Sequence, residues 1–291
     1  MAYTTQNLLD NIDRRAFSPT NQNTFTQAER LSLITEEMES NVFPSLFNLY
    51  EEYFVTSTTQ SLTVDQESYL VPARAHNGQL RELKLINASN NYRDLPRLEI
   101  ENIWHNATSG TPEYFFLRNN RIHLHPRPND ASDSLLIQFY VSPGTAVLPS
   151  ASAIITAIDT STNVVSFSSV PSTFVTGVTF DFIRGTGEHE HLGVDYTSTL
   201  VSGTDVTFSS LPTDIRVGDY LSLQGESSLI QCPTMYRNVL AQYVAARILM
   251  DSGQSGADKA FAKAEKMKAE AEVALQPRVT GALKTFSASW F

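Results

Sequence analysis

Along the first fifty residues the apolar positions recur at helical spacing. Leu8, Leu9 and Ile12 share one face of a helix predicted from about Thr4 to Phe17, which stops ahead of Pro19. Thr26-Gln27-Ala28-Glu29 has the form of a capping box, in which the hydroxyl and the carboxylate each satisfy a free backbone amide. Leu31, Ile34 and Met38 continue the stripe. Pro44 suits a first helical turn, and Phe43, Leu46, Phe47, Tyr50 and Phe54 follow as an aromatic face expected to be core or subunit interface. From Thr56 the period changes to that of strands: QSLTV, ESYLV ending at Pro72, LRELKLIN, EYFFLRNNRIHLHP and SLLIQFYV. Asn119-Asn120 reads as the turn of a hairpin, since Asn tolerates positive φ. In its second strand Ile122 and Leu124 alternate with Arg121, His123 and His125, which puts both histidines on the polar face.

Between about Ser150 and Ile230 the pattern is almost purely that of strands, and it is duplicated. VSFSSVPSTFVTGVTFDF, residues 165–182, matches VTFSSLPTDIRVGDYLSL, residues 206–223, at a constant offset of 41. Each copy reads as a strand, a Ser-Ser-Pro turn, a Gly kink and a second strand. Two such hairpins, with AIITAIDT and GVDYTSTLV, are expected to build a small barrel or sandwich. After Pro233 helical spacing returns at Tyr236, Val239, Leu240, Tyr243, Val244 and Ile248, with Gly253 as C-cap. A second helix, capped by Ser255, runs to about Gln276. The expected class is α+β. Residues 1–150 and 231–280 form a helical bundle with strands, 151–230 an inserted all-β domain, and 281–291 an extended C-terminal arm.

Composition narrows the chemistry. Lys and Arg number 21 against 31 Asp and Glu, a net charge of −10, which disfavours affinity for phosphate backbones. Cys232 is the single cysteine, so no internal disulfide and no cysteine-based metal knuckle is available, and it reads as a small buried apolar residue. The N-terminus lacks the pattern of a signal peptide and no apolar run is long enough for a membrane span, so a soluble protein of a reducing compartment is expected; the sequons at Asn87 and Asn106 then read as chance matches. His123 and His125, and His189 with His191 in GEHEHLG, have zinc-compatible spacing. Gly193, however, stands where His-Glu-x-x-His needs its second histidine, and GEHEHLG has the look of an exposed hairpin tip. Gly185-x-Gly187 lacks the third glycine of a dinucleotide loop, and neither a Walker motif nor a nucleophile elbow occurs. The acid pairs Glu36/Glu37, Glu51/Glu52 and Glu99/Glu101 read as ordinary exposed groups, and RNNRIHLHPRP as a local basic patch. No catalytic, cofactor or metal residue is singled out; the chain reads as no enzyme, and without a cofactor.

The layout resembles the head-to-tail adaptor, or connector, proteins of tailed bacteriophages. The resemblance rests on the order and spacing of NIDRRAF, TQAERLSLITEEMESNVFPSLFNLYEEYFV, YLVPARAHNGQLRELKLI, YFFLRNNRIHLHPRP, LLIQFYVSPGTAVLP and CPTMYRNVLAQYVAARILMDSG, with PRV after the last helix. These cover 1–150 and 231–280. The resemblance implies a structural virion protein in a closed ring of about twelve copies. It would be made in the host bacterial cytoplasm and would join the portal to the tail or the next neck ring. The ring would line a channel through which DNA passes, in packaging and genome ejection, without sequence-specific contact or any membrane. The C-terminal arm would reach a partner, with Phe286, Trp290 and Phe291 as aromatic anchors. A β-rich glycan- or receptor-binding module of a phage tail is the alternative, with Phe174, Tyr196 and Tyr220 stacking on sugars; a lytic tail enzyme is a third class, for which no carboxylate stands out.

Overall fold

A computed structural model describes residues 2–16, 25–49, 54–99 and 109–275. Phe286, Trp290 and Phe291, and the acids Glu51, Glu52 and Glu101, lie outside the described residues. Helix α1 (Thr5–Arg15) starts at a Thr4 capping box shared with Asn7. Helix α2 (Gln27–Glu37) starts at the Thr26–Glu29 box anticipated from sequence. It passes through a π-helical turn (Met38–Val42) into α3 (Phe43–Leu49), so that 27–49 is one rod. Helices α4 (Thr234–Asp251) and α5 (Ala257–Leu275) close the described chain. The whole anticipated stripe of α4, from Tyr236 to Ile248, is buried.

Strands outweigh these helices, 36% against 29%, and the molecule is therefore not a helical bundle carrying an inserted domain. The balance between strand and helix has a local cause. Residues 54–147 build sheets as large as the helical layer, and the core is shared between them rather than centred on the helices. β1 (Val55–Ser61), β9 (Ser134–Val141), β3 (Ala75–Ile86) and β4 (Tyr92–Leu95) lie in that order in one antiparallel sheet. Along β9, Leu135, Ile137, Phe139 and Val141 all point inward. A second sheet orders β2 (Ser68–Leu70), β7 (Arg121–His125) and β6 (Tyr114–Arg118). Its hairpin turns at Asn119 and Asn120, both at positive φ of 51° and 55°. The short pair β5 (Ser109–Gly110) and β8 (Arg127–Pro128) adjoins it. The buried faces of both sheets share one apolar cluster with α1, α2 and α4.

The duplicated stretch forms a closed six-stranded barrel with its own core of Phe167, Phe180, Phe182, Phe208 and Leu221. Its strands are β11 (Ala153–Asp159), β12 (Val164–Phe167), β13 (Thr179–Ile183), β14 (His191–Ser202), β15 (Asp205–Phe208) and β16 (Tyr220–Leu223). Around the barrel the order is β11-β12-β15-β14-β13-β16. Each copy supplies three strands, and each lends its third to the first strand of the other: β11 pairs β16, and β14 pairs β13. The arrangement is a pseudo-twofold. Val165 faces Val206 and Asp181 faces Ser222, and each of these pairs joins positions related by the repeat itself. The register break at Ile155/Ala157 in β11 returns at Ser198/Leu200 in β14. Gly177 and Gly218, the two kinks, both take positive φ, 86° and 93°. A duplicated sequence thus closes on itself because the unpaired edges of one copy are the complement of those of the other.

Strands β10 (Thr145–Ala146) and β17 (Glu226–Ser227) run parallel at the barrel's entry and exit, holding the two connections side by side. Gly144 permits this approach: a Cβ there would stand 2.8 Å from the Glu226 carbonyl carbon.

Candidate functional site

The polar groups buried deepest in the molecule gather where the barrel meets the rest of the chain. Asp181, on the pseudo-twofold of the barrel, is wholly buried. Its Oδ2 accepts from Arg74 at 2.9 Å and from the Gly225 amide at 2.9 Å, and its Oδ1 from the Asp195 amide at 3.0 Å. Arg74 stands in the turn before β3, so this ion pair ties the main sheet to the barrel. The same guanidinium lies 3.4 Å from Asp195, which also accepts 2.6 Å from Gln224. The symmetry is broken here: the hydroxyl of Ser222, the equivalent of Asp181, pairs with the Ser152 hydroxyl at 2.7 Å. One copy of the repeat carries the charge and the other does not.

A second tie lies at the hairpin of residues 184–190. Asp219, 2% exposed, accepts from Arg184 at 3.1 Å and from the amides of Gly185 and Arg216. Gly185 is required, because a Cβ there would strike the Gly218 carbonyl. The hairpin folds back onto the N-terminal segment and α4. His189 accepts from the Tyr3 amide at 3.1 Å through Nε2, and its Nδ1 donates to the Arg184 carbonyl at 3.0 Å. Arg237 of α4 donates to the Gly187 carbonyl at 2.7 Å and stacks 5.0 Å above the Tyr3 ring.

The histidines are thereby assigned. Gly187, Glu188 and Glu190 of GEHEHLG are exposed, as at a hairpin tip, but His189 is 1% exposed and burial pushes its pKa down to about 4. Its ring is neutral, with both nitrogens committed. His191 packs beside Asp181 and Arg74, and burial lowers its pKa as well. His123 stacks on Phe116 at 4.8 Å with its Nδ1 3.5 Å from Glu67, and His125 stacks on Tyr114 at 5.8 Å. The two strand histidines are cross-strand aromatic pairs, in the register of β6 and β7. The four histidines are therefore split between two places, and among the described residues no three His, Cys, Asp or Glu are grouped to hold a metal ion. Burial raises the Cys232 thiol to about 12, which keeps it protonated and a poor nucleophile.

Of the residues named for sugar stacking, Phe174 and Tyr220 are buried in or beside the barrel core, and Tyr196 packs edge-on against Phe182 at 5.2 Å. Sequence reasoning did not find Asp181, Asp219, Arg74 or Arg237. The repeat held a signal for the first of these: an aspartate at a position where its copy has serine.

One surface cleft borders the first tie at Asp195, and another lies away from both ties. The first, of about 590 Å³, between β1 and β14, is lined by hydroxyls, among them Thr56, Thr58, Tyr196, Thr197 and Ser209. The other, of about 760 Å³, lies between α1, α4 and α5. No helix among the described residues is long and apolar enough to cross a membrane. No protein-family model matches the chain, and no curated protein matches it.

Proposed function

We propose that the chain is a structural subunit of a phage virion, one of a ring of about twelve that joins the portal to the tail around the DNA channel. The observation that carries this reading is where the segments that bear the resemblance lie in the fold. Leu8 and Ile12, Ile34 and Leu46, Leu83 and Leu85, Ile122 and Leu124, Leu135 to Val141, and Tyr236 to Ile248 come from six separated stretches and pack into a single core. A layout matched by order and spacing alone thus corresponds to one folded unit. The barrel, tied to that unit by Arg74–Asp181 and by His189–Tyr3, moves with it, as a load-transmitting ring needs.

In such a ring each subunit contributes a modest interface and repetition multiplies it. Phe286, Trp290 and Phe291 act as anchors on the portal or the next copy. The acidic balance favours a lumen that does not retain phosphates, so DNA slides. Co-sedimentation with portal rings of the same phage tests the reading. The full chain is expected to travel with the rings, and a chain lacking residues 282–291 to bind at least tenfold more weakly, the loss of about 1.4 kcal/mol that a single anchor readily accounts for. Equal binding of both would remove the anchors; no binding of either would remove the ring. The alternative, a glycan-binding tail module, has the hydroxyl-lined cleft between β1 and β14 in its favour. Glycan binding by the full chain, lost on filling that cleft with Thr58→Trp, would favour it instead.

A further inference from the structure

The larger cleft is lined by Arg14 and Arg15 from the end of α1 and by Lys259 and Lys263 from the first turns of α5, with no acidic residue among the described residues that line it. Four cations on one cleft are unusual in a chain of net charge −10. Arg15 is half-buried, yet among the described residues its guanidinium donates to neutral oxygens alone: Asn11 at 3.0 Å, Gln242 at 2.9 Å and Asn238 at 3.0 Å. Arg14 donates to the Asp10 carbonyl. Among the described residues none of the four forms an ion pair. Such a cleft holds positive charge in place without neutralising it, and Arg15 is pre-oriented at the cost of partial desolvation.

The opposite pattern lies on α2 and the π-turn. Glu29, Glu36 and Glu39 are exposed and, at spacings of seven and three, share one face of the rod with Ser32. No ion pair to any of the three exists among the described residues; Glu29 is held by the Thr26 cap and Glu36 by the Ser32 hydroxyl. None of them lines the basic cleft.

We propose that the α1–α4–α5 cleft receives the acidic face of α2 from a second copy of the chain, Arg14, Arg15, Lys259 and Lys263 meeting Glu29, Glu36 and Glu39. The two surfaces are different, so the contact is head-to-tail and closes rings rather than twofold dimers. Charge complementarity of this kind sets register and partner choice. A nucleic acid is the weaker candidate for the cleft, because the rest of the chain repels a continuous polyanion. The proposal rests on the ring reading for the presence of neighbours.

Zero-length carbodiimide coupling of the full chain tests it, at high protein concentration and low salt, with isotopically heavy and light copies mixed. The reagent activates a carboxylate, and a lysine amine displaces it to leave an amide, so only touching Lys–Glu pairs join. Heavy–light peptides joining Lys259 or Lys263 to Glu36 or Glu39 are expected, falling roughly tenfold at 0.5 M salt. They should vanish in Lys259→Glu/Lys263→Glu and in Glu36→Lys/Glu39→Lys alone. Mixing those two variants should restore them with the roles reversed. Heavy–light links confined to other residues, no heavy–light link at all, or no rescue in the mixture, would overturn the contact; so would protection by a duplex oligonucleotide at equimolar concentration. Portal co-sedimentation of the same variants is read separately. Binding without self-contact would leave the ring reading standing and the contact refuted, and self-contact without portal binding the reverse.

Discussion

At the scale of single residues the molecule is held by a few buried charges with particular partners. Asp181 has no exposure to water and is held by Arg74 and two backbone amides. Arg74→Ala should therefore destabilise the protein by about 3–5 kcal/mol, the cost of an uncompensated buried charge. Chemical unfolding measures it, and a change under 1 kcal/mol would show that the pair is not what joins barrel to sheet. His189 links stability to protons. Its folded pKa is about 4 against 6.5 in the unfolded chain, so the unfolded state binds more protons between those values. Stability should fall as pH drops from 6.5 towards 4 and be flat above 7. In His189→Gln, which keeps one hydrogen bond, the melting temperature should lose much of that slope; an unchanged slope would place the acid sensitivity elsewhere.

At the scale of elements, local codes were legible where backbone chemistry decides the outcome. Thr26 and Glu29 cap α2 as their spacing requires, and SLLIQFYV is β9 residue for residue. Asn119-Asn120 turns the β6–β7 hairpin with both residues left-handed. Alanine at both positions should cost about 1–2 kcal/mol per residue, readable as a lower melting temperature, whereas Asn120→Gly should be neutral or stabilising. The duplication was legible too, but not its consequence. An offset in sequence says that two copies share a shape; it does not say that β13 crosses to β14 and β16 to β11. The balance of the fold was misjudged for a related reason. Helical stripes advertise themselves over ten or more residues, while β2, β5, β8 and β10 are two or three residues long and exist only because a partner strand lies beside them. Phe54 followed a helical spacing but takes a φ of 62° in the turn into β1. His189 was misread as part of an exposed tip because its burial by Tyr3 and Arg237 joins residues nearly two hundred positions apart or fifty positions on.

At the scale of the whole molecule, the polar interior is spent on rigidity. The two ties anchor the barrel to different parts of the chain, the turn before β3 and the N-terminal segment with α4. The buried histidine and the buried cysteine are tuned away from reactivity at neutral pH. The charges that form no ion pair among the described residues, by contrast, include groups outward on α1, α2 and α5, where a neighbour can meet them. Electron microscopy of the purified chain mixed with portal rings decides most directly whether these surfaces serve assembly. Extra density stacked on one face of the portal, in closed rings with a copy for every portal subunit and a central channel open to duplex DNA, is the expected image. Bare portal rings beside monomers, at concentrations well above micromolar, would contradict the account.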